Sequence, residues 1–142
     1  GKYYLICNND KYENISNYKV ENISNIKILE ADSKDIRGLS NMEDFNLNKY
    51  VKEQIYMTHG KAVNATLKVQ EEKFIGNIIE WFGEDIKVKK NSGAFFIDVK
   101  VNESALIYWA LQYGEHVEIV EPKKIRELAR EKIMLIYNKY LN

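Results

Sequence analysis

Hydrophobic positions along this chain change period several times, and each change marks an element. Tyr3-Tyr4-Leu5-Ile6-Cys7 is aromatic and branched, which predicts a strand. Asn8–Asn14 is polar and reads as a turn region. Ile15, Tyr18, Val20 and Ile23 then alternate imperfectly with polar residues. Ile26-Lys27-Ile28-Leu29 follows, so two more short strands are predicted, with a break near residues 22–25. About three strands bury too little to stand alone. Residues 1–31 therefore read as the last part of a β domain. Residues 32–60 read as a linker, with Ser33, Gly38 and Ser40, followed by a short helix. Asn46 can cap that helix over Leu47–Tyr56, and His59-Gly60 stops it.

From Lys61 the pattern sharpens. Val63–Val69 alternates as a half-buried strand. Over Gln70–Phe82, the residues Phe74, Ile75, Ile78, Ile79 and Phe82 repeat at three and four, which predicts a helix stopped by Gly83. Asp85–Lys90 is a strand, Asn91-Ser92-Gly93 a hairpin turn, and Ala94–Val101 the returning strand. Asn102 can cap a helix over Glu103–Tyr113, with Gly114 as its stop. His116–Val120 is a strand, and Pro122 opens a final helix reaching about Tyr140. Ile125, Leu128, Ala129, Ile133, Ile136, Tyr137 and Tyr140 form its apolar stripe. The order β-α-β-β-α-β plus a helix over 61–142 is the split βαβ, ferredoxin-like arrangement, an α+β class. It predicts a four-stranded antiparallel sheet. Its outer face is mixed, with Phe96 beside Asp98 and Lys100.

Charge narrows the partners. Lys+Arg and Asp+Glu both number 21, so no global field pulls the chain onto DNA or an anionic membrane. The single cysteine, Cys7, cannot form an intrachain disulfide and has no zinc-ligand companions. No apolar run approaches the ~20 residues that span a bilayer, and Tyr3–Cys7 is too short for a signal peptide. A cytoplasmic chain with no membrane partner is expected. Asn-x-Ser/Thr triplets at Asn14, Asn22, Asn64 and Asn102 follow from an Asn-rich composition.

Catalytic chemistry is expected to be absent. Gly76 and Gly83 do not form a phosphate loop, and no Gly-x-Ser-x-Gly elbow occurs. His59 and His116 stand far apart in sequence, without Asp or Cys at ligand spacing, and read as solvated loop residues. Glu71-Glu72 fits a helix first turn, where acids complement the dipole, and Glu84-Asp85 lies in a turn. No metal site and no cofactor are expected. In the last helix Lys123, Lys124, Arg126, Arg130 and Lys132 interleave with Glu121, Glu127 and Glu131. That pattern is a salt-bridged solvent face before it is a nucleic-acid surface. Trp81 and Trp109 fall on apolar helix faces, as core or interface residues.

Three stretches together resemble the WYL-domain family of bacterial (DeoR-type) transcription regulators. Lys2-Tyr3-Tyr4-Leu5-Ile6 resembles the Trp-Tyr-Leu strand, with Tyr3 in place of tryptophan. Tyr18-Lys19-Val20-Glu21-Asn22-Ile23 resembles the aromatic-Arg-Leu-x-Arg-Ile strand. The stretch from Tyr108-Trp109 through Gly114-Glu115-His116 to Glu121-Pro122 is similar to the helix, strand and Glu-Pro of the extension that follows the WYL domain. The resemblance implies that residues 1–31 are the end of an SH3-like WYL barrel and that 61–142 are its C-terminal extension. It implies a homodimer that senses a nucleotide or single-stranded nucleic acid. Promoter DNA would be read only through a missing N-terminal helix-turn-helix domain. The effector site implied is Tyr4, Tyr18, Lys19 and Asn22. Family arginines that would fork onto phosphate are here Lys19 and Asn22, which keep one charge and one amide.

Two functions follow. One is the effector-sensing and dimerisation region of a bacterial transcription regulator. The other is a stand-alone ferredoxin-like domain that binds a small molecule or oligomerises. An enzyme has no supporting constellation.

Overall fold

The structure, a computed structural model, describes residues 2–8, 11, 15–33, 45–58 and 60–141. Gly38, Ser40, Asn14 and His59 lie outside the described residues. The chain divides into two compact units, Gly1–Tyr50 and Val51–Asn142.

In the first unit, β1 (Tyr4–Asn8) and β2 (Ile15–Lys19) pair antiparallel, with Tyr4 opposite Lys19 and Asn8 opposite Ile15. The Val20 N–H donates to the Tyr3 carbonyl at 3.0 Å, and a 3-10 turn over Val20–Asn22 ends the hairpin. Asn17 is buried, and its Oδ1 accepts from the Tyr50 hydroxyl at 3.0 Å. Burial holds that hydroxyl's pKa up against the opposing pull of the Asn17 hydrogen bond. Helix α1 (Leu47–Glu53) starts as expected, with the Lys49 N–H on Asn46 Oδ1 at 3.0 Å. It is shorter than Leu47–Tyr56, because the backbone leaves the helical region at Gln54 (φ −109°, ψ 49°), and Tyr56 and Met57 then take left-handed φ values of 59° and 51°. The expected strand Ile26–Leu29 is irregular instead, and Ile28 is 98% exposed. Branched residues favour a strand only where a neighbour covers them, and among the described residues Ile26, Ile28 and Leu29 are largely uncovered.

The second unit carries the predicted ferredoxin-like order. Strands β3 (Ala62–Val69), β4 (Lys87–Asn91), β5 (Ala94–Asn102) and β6 (Val117–Glu121) form one antiparallel sheet in the order β4-β5-β3-β6. Ser92 and Gly93, at φ 48° and 81°, make the two-residue turn between β4 and β5, the left-handed pair that matches strand twist. Helix α2 (Ile75–Phe82) begins later than the hydrophobic repeat suggests. A 3-10 turn over Glu72–Phe74 precedes it, and Glu71 supplies no side-chain cap. Helix α3 (Glu103–Gln112) starts on Asn102, whose Oδ1 accepts from the Ala105 N–H at 3.1 Å. It stops at Tyr113 rather than Gly114, with the Tyr113 N–H on the Trp109 carbonyl. Helix α4 (Lys123–Lys139) follows Pro122, which sits one residue before the first turn in an extended conformation.

The inner sheet face and the helices enclose Leu67, Ile97, Ile78, Leu106 and Trp109, all without solvent contact. Trp109 meets Phe82 edge-on at 4.8 Å between centroids. α4 joins this core only through its first half. Ile125 and Ala129 are buried and Leu128 is half-buried, whereas its apolar residues from Ile133 onward are exposed.

Candidate functional site

The strand register decides which of the expected effector residues meet. Tyr4 and Lys19 are directly opposite and share one hairpin face. Tyr18 pairs with Leu5 and so lies on the other face. Asn22 is in the turn beyond the strand. Lys19 Nζ stands 4.0 Å from Glu21 Oε1, so part of its charge is answered within the hairpin.

On the second unit, the outer sheet face carries Phe96, Asp98 and Lys100 as the alternation predicts. Several of its charges are paired. The Thr66 hydroxyl donates to Asp98 Oδ1 at 2.8 Å, and Lys89 Nζ is 3.8 Å from Asp98 Oδ2. Lys100 pairs with Glu53 at 2.9 Å and Lys68 with Glu118 at 3.4 Å. Each of these lysines has a carboxylate beside it, which leaves little net field for a polyanion.

Between α3, β6 and α4 runs an open groove of about 460 Å³, within the size range of ligand pockets. Its floor is apolar, from Leu111, Val117, Ile119, Ala129 and Ile133. Its rim is charged, from Glu118, Arg126 and Arg130. Arg126 Nη1 donates to the Ile119 carbonyl at 2.8 Å and lies 2.6 Å from Glu118 Oε1. The Arg126 hydrogen bond is the largest influence holding the Glu118 carboxyl below its ordinary range, against partial burial, with Lys68 adding to it. Arg130 Nη2 pairs with Glu127 Oε2 at 2.7 Å, one turn back on the same helix.

Sequence reading placed Arg126 on a solvated helix face and missed the groove. The available signal was Ile125 and Ala129 flanking Arg126. A basic residue between two core positions has its stem on the helix shoulder, within reach of the neighbouring strand.

His116 is not isolated. Its Nδ1 is 3.7 Å from Glu71 Oε1, and its ring lies 4.9 Å from that of Phe74. Glu71 is held below the usual carboxylate range, first by its hydrogen bond with Lys73. Among the described residues no group of three or more His, Cys, Asp or Glu could hold a metal ion. No described helix is long and apolar enough to cross a membrane.

Sheet order, helix placement and groove together define a ferredoxin-like α+β domain whose long terminal helix is half engaged. The WCX domain family matches residues 61–135, from the start of β3 into α4, and the chain belongs to that family. WCX is a domain associated with WYL-domain regulators at their C-terminal side. A comparison with curated proteins found no match to the chain.

Proposed function

We propose that this chain is the effector-sensing and dimerisation region of a bacterial transcription regulator of the WYL, DeoR-type class, working in the cytoplasm without catalysis or a cofactor. The observation that carries the reading is the WCX match on residues 61–135, preceded in the chain by the hairpin that bears Tyr3-Tyr4-Leu5. Promoter DNA is read by a helix-turn-helix domain outside these 142 residues, in keeping with a net charge of zero here. The effector is a nucleotide or single-stranded nucleic acid. Tyr4 offers a ring for a base to stack on, and Lys19, opposite it, an ammonium for a phosphate. Asn22 contributes hydrogen bonds from the turn, while Tyr18 lies on the other face, opposite Leu5.

Titration of a fluorescent single-stranded oligonucleotide at several salt concentrations tests the site. Lys19→Ala is expected to weaken binding and to reduce the log–log salt slope by about 0.7, one phosphate contact's worth. Tyr4→Ala is expected to cost roughly 1–3 kcal/mol from lost stacking. Measurable binding with a slope that ignores Lys19→Ala removes Lys19 from the site.

A further inference from the structure

Small residues hold the groove between α3, β6 and α4 open. Ala110 and Gly114 line it from α3 and the turn after it, and Ala129 lines it from α4. Of the stripe residues Ile125, Leu128, Ala129 and Ile133, the smallest lies at the groove's floor. A leucine there would take up much of the space, as the close packing of protein interiors normally demands. None of the lining side chains is aromatic. Leu111, Val117, Ile119 and Ile133 offer branched aliphatic surface, which suits an alkyl tail and gives a planar ring nothing to stack on.

The rim has charge to spare. Arg126 meets the Ile119 carbonyl and Glu118 through Nη1, one nitrogen of a group with five N–H donors, so donors remain for another acceptor. Those two contacts fix its plane in advance. Arg130, one turn further along, is exposed and holds Glu127 in an i,i+3 pair of the weak kind. Glu118 has a cation on each side, Arg126 at 2.6 Å and Lys68 at 3.4 Å. Together Lys68, Arg126 and Arg130 outnumber Glu118 and Glu127 by one positive charge. One carboxylate completes the balance, and its planar oxygens match guanidinium donors. From Arg126 to Ile133 the helix rises about 10 Å, the reach of an alkyl chain of roughly eight carbons.

We propose that this groove binds a medium-chain aliphatic monocarboxylate, with its carboxylate at Arg126 and Arg130 and its tail over Leu111, Val117 and Ile133. This second ligand site uses none of the hairpin residues and goes beyond the nucleotide-sensing reading.

The test uses the whole 142-residue chain. Calorimetric titration with octanoate, octanol and octylammonium varies the headgroup on one tail. Octanoate is expected to bind once per chain with a dissociation constant below about 1 mM, ordinary for so small a ligand. Octylammonium is expected to bind at least about ten-fold more weakly, because its charge meets the rim's excess of cations. Arg130→Gln, at an exposed position, should weaken octanoate about five-fold and leave octanol unchanged. Ala129→Leu should remove both by filling the groove. Ile133→Glu, on the exposed wall, should weaken octanoate at least about ten-fold without touching the core. Backbone amide NMR shifts caused by octanoate should gather on Gly114, Val117 and Ala129.

Octanoate that binds no tighter than octylammonium, or that ignores both Arg130→Gln and Ile133→Glu, overturns the site. So does an absence of binding at about 10 mM octanoate, ten times the expected constant. Lys19→Ala should leave the octanoate titration unchanged. The oligonucleotide titration at the hairpin therefore judges the sensing reading by itself, whichever way the groove answers.

Discussion

Arg126 Nη1 and Glu118 Oε1 stand 2.6 Å apart and strap α4 to the edge strand from which it turns back. Arg126 also caps the Ile119 carbonyl, so one guanidinium serves a side chain and a backbone group. Arg126→Ala is expected to destabilise the domain by about 1 kcal/mol, the upper range for half-exposed pairs, since the packed stem is lost with the charge. Urea denaturation of wild type and variant measures it. An Arg126→Lys protein should recover only part, because the flexible ammonium lacks the fixed planar geometry with which the guanidinium meets both acceptors.

The same pair sets an acid dependence. Ionised Glu118 is favoured in the folded state, chiefly through Arg126, so its folded pKa lies below the unfolded value of about 4.3. Its contribution is fully present above that value and is lost as pH falls through the lower folded one. Wild type and Glu118→Gln should differ in denaturation midpoint at pH 7, and the gap should narrow as pH falls below the unfolded value of about 4.3. A gap that stays constant over that range would remove Glu118 from the strap.

Asn102 holds two elements at once. Its side chain is buried and caps α3, and a methyl group built on Gly60 would sit 2.7 Å from Asn102 Nδ2. Gly60 has φ +133°, a region where side chains are strained. Asn102→Ala is expected to cost about 1–2 kcal/mol from the lost cap. Gly60→Ala is expected to cost at least ~1 kcal/mol from backbone strain and the contact together. Thermal melts of the two single variants and the double variant would show coupling, because the residues touch.

Trp109 makes a contrast between size and polarity. It is fully buried against Phe82 and Tyr113, yet among the described residues its indole N–H has no hydrogen-bond partner. Trp109→Ala should cost about 3–5 kcal/mol through the cavity it leaves. Trp109→Phe should cost much less, about 1–2 kcal/mol, because the lost volume is partly offset by removing an unpaired donor. Equal losses in chemical denaturation would show that the unpaired N–H carries no penalty.

What the sequence determined is local. Period two and period three-to-four patterns fixed the order of strands and helices from Ala62 to Lys139, since each pattern suits only one backbone geometry. Asn46 and Asn102 marked helix starts because a side-chain oxygen meets free N–H groups only there. Ser92-Gly93 marked the hairpin because both residues tolerate left-handed backbone.

Tertiary structure decided what depends on distant partners. Ile26–Leu29 has a strand's composition and forms none, because pairing is supplied from elsewhere in the chain or not at all. Tyr4 and Tyr18 belong to neighbouring strands, and only the register separates their faces. Along α4, Ile125 and Ile136 look alike in the pattern, yet one lies in the core and the other in solvent. Amphipathicity says that a helix face seeks cover. Where the sheet and α3 end is a property of the assembled domain, and it leaves Tyr140 projecting past the groove that Ala129 and Ile133 line.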